Sequence, residues 1–174
     1  SKLCHAHRVN DTQTIDTLWP IFSEGIHTLV DSKEDPSFIA ECITIPSITN
    51  LLEAQTPYDF DSTFKAREWL NTRLSTTFND VLHTRYTVLK DTLGDSTDFN
   101  SKHMGERKLK NTCLHLLSYA NDHHEPLVEN AYYTAPTMTD SIAALSLLTR
   151  WNLSSSHAAL EDFYKKWQKE FTVI

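Results

Sequence analysis

The chain has 174 residues, enough for one domain with a sizeable core, and a formal net charge of −7. That acidic balance, with no lysine or arginine stripe interleaved with aromatics, excludes a nucleic-acid backbone binder, which needs cations to release counterions from phosphate. No apolar run approaches the ~20 residues of a spanning helix, and Ser1-Lys2-Leu3-Cys4-His5 shows no signal-peptide core.

Cys4, Cys42 and Cys113 are odd in number and far apart. They form neither a disulfide framework nor a CxxC metal pair, which fits a reducing, cytoplasmic setting. Two sequons, at Asn10 and Asn152, matter only in a secreted protein. With three glycines in all, tight hairpins and phosphate-cradling loops have little to build on, so helices joined by polar loops are expected.

Residues 1–12 are polar and aperiodic and read as a tail or a severed linker, with the helical domain over 13–174. Ile15, Leu18, Phe22, Ile26, Leu29 and Val30 then recur at helical spacing. Pro20 interrupts them, so the regular helix is expected to start near it, with the proline in its first turn. Asp35-Pro36 pairs an N-cap with a proline at the first helical position and opens a short helix through Phe38, Ile39 and Cys42. Pro46 opens another, carrying Ile48, Leu51 and Leu52.

Phe60, Phe64, Leu70, Leu74, Phe78, Leu82 and Tyr86 make the strongest periodic segment. Asp61 or Ser62 can cap it and Gly94 lies beyond its end. A helix of about 30 residues is unusually long, so a bend within it is expected. Leu109, Cys113, Leu116, Leu117 and Ala120 form the next stripe, and Leu127, Val128, Ala131 and Tyr132 a shorter one. Thr139 or Asp140 caps a helix that is apolar almost all round from Ile142 to Leu148, a pattern of burial between neighbours. In the last helix, Leu160, Phe163, Tyr164, Trp167 and Phe171 are expected inward. Glu161 with Lys165 and Asp162 with Lys166 make acid-to-base pairs on its outer face.

No strand of useful length interrupts this series. The fold class is all-α: stacked antiparallel helix pairs forming a superhelical, ARM/HEAT-like array, truncated at its C-terminus.

Motifs for chemistry are absent or incomplete. His124-Glu125-Pro126-Leu127-Val128 approaches H-E-x-x-H, but Val128 stands where the second histidine must be and Pro126 disturbs the presenting helix. His5 with His7, and His123 with His124, read as surface coincidences among nine histidines, and His115 as a helix residue beside an apolar stripe. No G-x-S-x-G occurs, and Ser154-Ser155-Ser156 reads as capping. Arg107, Asn111 and Thr139-Asp140 are the unusual polar positions, flanked by apolar residues. Their expected role is to satisfy helix ends.

Three of these segments, Arg107-Lys108-Leu109-Lys110-Asn111-Thr112-Cys113-Leu114, Met138-Thr139-Asp140-Ser141-Ile142-Ala143-Ala144-Leu145 and Phe163-Tyr164-Lys165-Lys166-Trp167, occur in a characteristic order. Together with Asp35-Pro36-Ser37-Phe38-Ile39-Ala40-Glu41 and Ile45-Pro46-Ser47, they resemble the C-terminal helical region of aminopeptidase N, the bacterial-type zinc alanyl aminopeptidase family. The resemblance runs from about residue 23 to 170. It departs at Thr137, where the family usually has asparagine before its Met-Thr-Asp, and at Pro136. The chain also stops at Ile174, where the family pattern runs on into further helices.

The resemblance implies a helical superhelix and a parent that removes N-terminal residues from peptides with a zinc ion. This region would pack on the catalytic domain of the same polypeptide and help enclose its active site. The family's H-E-x-x-H and G-x-M-E-N signatures are missing here. No catalytic, cofactor-binding or metal-ligating residue is therefore assigned to the chain, and zinc and peptide substrates are expected only in the parent. Self-association through the truncated face is also expected. A free-standing helical scaffold for a protein partner is the alternative, with a histidine-rich metal binder third.

Overall fold

Polar side chains start most of the helices by accepting the orphan N–H groups of the first turn. Asp11, Asp35, Ser47, Asp59, Asn100 and Thr137 each do this. The computed structural model describes residues 2–55, 58–120 and 123–169. Among them run α1 (Lys2–Arg8), α2 (Thr12–Asp31), α3 (Pro36–Ile43), α4 (Ile48–Glu53), α5 (Phe60–Thr77), α6 (Asn79–Leu93), α7 (Ser101–Leu117), α8 (Glu125–Tyr133), α9 (Met138–Arg150) and α10 (Ser156–Trp167). The fold is all-helical and built of stacked helix pairs, as the periodicity predicts.

At the centre lies α7, packed on α3, α5, α6 and α9. Leu109, Cys113, Leu114 and Leu117 are fully buried along it. Its approach to α3 depends on Gly105, where a Cβ would lie 2.6 Å from Ser37 Oγ and 3.3 Å from the Ser37 backbone nitrogen. Gly94 closes α6 at φ +49°, a left-handed position that glycine adopts without a side-chain clash. Beyond this centre, α8 pairs with α9, and α10 packs on α9.

Several expectations are corrected. Residues 2–8 are not a tail: α1 buries Leu3, Cys4 and Ala6 against α2 and α5. Its three apolar positions are too few for a periodic signal. Pro20 does not open α2. The helix begins at Thr12, capped by Asp11, and runs through the proline, with Ile15, Ile26 and Val30 holding it on either side.

The long segment is two helices, breaking at Phe78, whose φ of −113° leaves helical geometry. Leu70, Leu74, Phe78, Leu82 and Tyr86 are buried, but Phe60 and Phe64 are exposed and stack on each other. The step from Phe64 to Leu70 is six residues, which moves the phenylalanines off the buried face. In α3 the buried set is Ile39, Ala40 and Ile43, with Phe38 and Cys42 outside.

The last helix differs most. Only Ala159 is buried in α10, Phe163 packs partly on the core, and Leu160 and Tyr164 are 47% and 68% exposed. Phe171 lies outside the described residues. In α9, Ala144, Leu145, Leu147 and Leu148 are buried as expected, while Ile142 is half exposed. Glu161 pairs with Lys165 at 3.7 Å, but Asp162 accepts the Tyr132 hydroxyl at 2.9 Å, tying α10 to α8.

Candidate functional site

Arg107, Lys110 and Asn111 stand at i, i+3 and i+4 on α7 and so share a face, which turns to the start of α9. There Asp140, 4% exposed, gathers them: Lys110 Nζ lies 2.8 Å and Asn111 Nδ2 3.0 Å from Oδ1, and Arg107 Nε 3.6 Å from Oδ2. Thr137 completes the set, donating its hydroxyl to Oδ2 at 2.8 Å and accepting the Asp140 backbone N–H at 3.2 Å, a variant of the capping box. Arg107 also donates to the Ser96 and Asp98 carbonyls, fastening the α6–α7 loop. Burial, then the Asp140 charge, pushes the nearby Tyr86 hydroxyl up to about 12.

A second ionic group lies further along α7. Glu68 accepts from Arg150 at 2.7 Å and faces Arg67 at 3.6 Å, while Arg67 also donates to the Pro46 carbonyl. Arg150 sits over the rings of Tyr119 and Trp151. His115 packs edge-on against Tyr119, and burial, reinforced by Arg150 and Arg67, pushes its pKa down to about 4. The imidazole is therefore neutral near pH 7.

Between the two ionic groups runs an open groove of about 630 Å³. Its floor is the outward stripe of α7: Met104, Lys108, Asn111 and His115. Ile45, Arg67, Phe99 and Thr139 also line it. Lys108 bonds to Glu41 of α3 across the rim. Phe99 and Met104 are exposed there, 80% and 55%.

Of the four unusual polar positions, the structure brings together Arg107, Asn111 and Asp140. Thr139 stays outside the cluster, and Thr137, not Thr139 or Asp140, caps α9. Sequence reasoning missed Lys110 and Thr137. The spacing of Thr137 to Asp140 is the signal that could have found the cap.

The histidine motifs have structural roles. His124 sits in the left-handed region at φ 44° and bonds Asn79, and Glu125 accepts both the backbone N–H and the hydroxyl of Ser154. His123 stacks on Trp151 and donates to the Ser118 carbonyl. The expected serine cap is not made: Ser155 precedes α10 with helical φ −85° and ψ −3°, not the extended backbone usual for an N-cap, and makes no capping bond, while Ser154 bonds Glu125. Asn10 and Asn152 of the sequons are exposed left-handed residues closing helical turns.

A family profile described as "Domain of unknown function (DUF3458_C) ARM repeats" matches residues 3–174. The chain belongs to this family. The ARM-repeat domain is 29% identical over 149 residues to aminopeptidase N of Escherichia coli (strain K12), covering 84% of this chain and 17% of that protein. With aminopeptidase N of Haemophilus influenzae (strain ATCC 51907 / DSM 11121 / KW20 / Rd) it shares 30% identity over 142 residues, covering 82% of this chain and 16% of the relative. A crystal structure of Legionella pneumophila aminopeptidase A in complex with aspartic acid matches 86% of this chain and 18% of its own, with a TM-score of 0.72 and 26% identity. The resemblance carried by the α3, α7, α9 and α10 segments is therefore shown. The ARM-repeat domain spans less than a fifth of the length of these relatives.

Proposed function

We propose that this ARM-repeat domain is the non-catalytic helical part of a zinc-dependent aminopeptidase, which removes N-terminal residues from peptides. On this reading it packs on the catalytic domain of the same polypeptide, helps enclose the active site, and works in the cytoplasm. The observation that carries the reading is the match to proteins named aminopeptidase N along 84% of the chain.

Among the described residues no three or more His, Cys, Asp or Glu side chains come together to hold a metal, and His124 and Glu125 serve neighbouring helices. On this reading the zinc and the catalytic step belong to the catalytic domain.

The test is hydrolysis of an alanyl chromogenic substrate by the whole polypeptide and by this chain alone. Expected are turnover by the whole polypeptide that a strong chelator abolishes, and none by the 174-residue chain. A whole polypeptide that lacks activity, or keeps it unchanged in excess chelator, would falsify the reading.

The open groove on α7 favours a second reading, a helical scaffold that binds a protein partner. The uncovered Leu160 and Tyr164 face of α10 supports self-association of the isolated chain, which sedimentation would show as mass rising with concentration.

A further inference from the structure

Apart from the groove, a cavity of about 370 Å³ is lined by the end of α6, the middle of α7 and the end of α8. Tyr86, 2% exposed, is part of its lining. The Tyr86 hydroxyl has no hydrogen-bond partner among the described residues, yet it is not sealed in protein, so it opens into the cavity. An unpaired hydroxyl on a buried side chain is costly, which marks the position as one that a ligand oxygen can fill. Because burial, then the Asp140 charge, pushes its pKa up to about 12, the phenol keeps its proton and donates. Beside it Lys110 gives one hydrogen bond to Asp140 and has further ammonium protons to offer.

The mouth has the opposite character. Asp91 and Asp95 are exposed, line the cavity and form no ion pair among the described residues. Counting all lining charges, Asp91, Asp95 and Asp140 stand against Lys90 and Lys110, which leaves one net negative charge. Both α6 and α8 end here, at Leu93 and Tyr133. The last carbonyls of a helix lack partners within it and carry partial negative charge, so two helix ends favour a cation at the same place. Tyr86 and Asp91 are five residues apart on α6, about 7–8 Å along the axis at 1.5 Å per residue. An α-amino acid is too short to join the two ends, whereas a chain of about five carbons spans them. A carboxylate at the deep end would lie beside Asp140, so a neutral oxygen fits there better.

We propose that this cavity binds a small linear primary amine whose far end carries a neutral oxygen acceptor. The ammonium sits by Asp91 and Asp95 at the two helix ends. The oxygen accepts from the Tyr86 hydroxyl and from Lys110, and the methylenes run over Leu114, Ala135 and Pro136. The binding needs no peptidase activity.

An amide-resolved NMR titration of the isotope-labelled 174-residue chain tests it with ω-aminopentanamide, which has an ammonium at one end and a neutral carbonyl at the other. Saturable binding is expected, with shifts centred on residues 86–95 and 131–136. Pentylamine lacks the oxygen and pentanamide the ammonium, so each should bind at least about threefold more weakly. Tyr86→Phe keeps the ring, removes the hydroxyl and should weaken binding by about fivefold. Asp91→Asn combined with Asp95→Asn should weaken it by about threefold. Both aspartates are exposed, so this second variant should keep the helical circular dichroism of the parent and decides the matter even if Tyr86→Phe unfolds. No saturable binding, shifts centred elsewhere, equal binding of either control, or unchanged affinity in the aspartate variant or in a folded Tyr86→Phe overturns the proposal. None of these results touches the aminopeptidase reading, which the substrate assay decides separately.

Discussion

Helices α7 and α10 carry comparable apolar stripes and end in opposite situations. α7 is enclosed on several sides and buries even charged residues, Glu106, Arg107 and Lys110. α10 buries one alanine and leaves a leucine and a tyrosine in solvent. An amphipathic pattern states that a helix has a sticky face. Which neighbours cover that face is a property of the array. In α7 four partners close around the stripe, and the charges that would be costly to bury find one another.

The contrast is broken most severely at Asp140. Replacing it with alanine leaves Arg107 and Lys110 buried with no carboxylate and removes the partner of Thr137 and Asn111. Truncating one side of a buried ionic cluster costs about 3–5 kcal/mol. Urea unfolding of Asp140→Ala should show a loss of that size, with Asp140→Asn losing less because it keeps hydrogen-bonding capacity. A loss below about 1 kcal/mol would mean that water already solvates the cluster.

Much of this central architecture is legible in the residues. The Asp35-Pro36 start, the Gly94 stop and the Leu109–Leu117 stripe are local signals, and local physics decides them. The cluster itself is only half legible. Arg107, Asn111 and Asp140 stand out as polar residues in apolar surroundings, but nothing local says that α7 and α9 meet. Lys110 escapes notice because a lysine near the end of a stripe ordinarily reaches solvent. Pro20 and Phe78 teach the reverse lesson. A proline normally breaks a helix, but here packing on both sides carries α2 through it, whereas α5 ends at Phe78 with no proline or glycine present.

A smaller effect is expected along the groove, from His115. Its folded pKa of about 4 lies below the ordinary histidine value of 6.5, so the fold favours the neutral ring. The unfolded chain takes up the proton as pH falls below 6.5, and the folded chain does so only near 4. Stability from this group is complete above pH 6.5 and is lost as pH falls through that window. Allowing for partial exposure of the ring, the full loss is about 2–3 kcal/mol. The measurement is unfolding free energy against pH for the parent and for His115→Gln. The difference between the two curves should change between pH 6.5 and 4 and be level above. A constant difference across that range would place the imidazole in solvent.

The smallest effect is expected on α10, where the sequence pattern alone predicts the opposite. If stripe residues were core, truncating Tyr164 to alanine would cost about 3–5 kcal/mol, as for a buried aromatic. With Tyr164 68% exposed, its ring has little packing to lose. Substitutions at such surface sites usually change stability by no more than about 0.5 kcal/mol. What holds α10 is elsewhere: Ala159 against the core, and the Tyr132 hydroxyl, which donates to the Ala159 carbonyl at 2.8 Å and to Asp162. Tyr164→Ala and Leu160→Ala should therefore leave thermal unfolding of a dilute sample nearly unchanged. If the exposed face pairs two copies, the same variants should lower the midpoint at high protein concentration, where association stabilises the folded state by mass action. A large loss in dilute solution would show that α10 packs through its aromatic stripe after all, and that its likeness to α7 extends from pattern to burial.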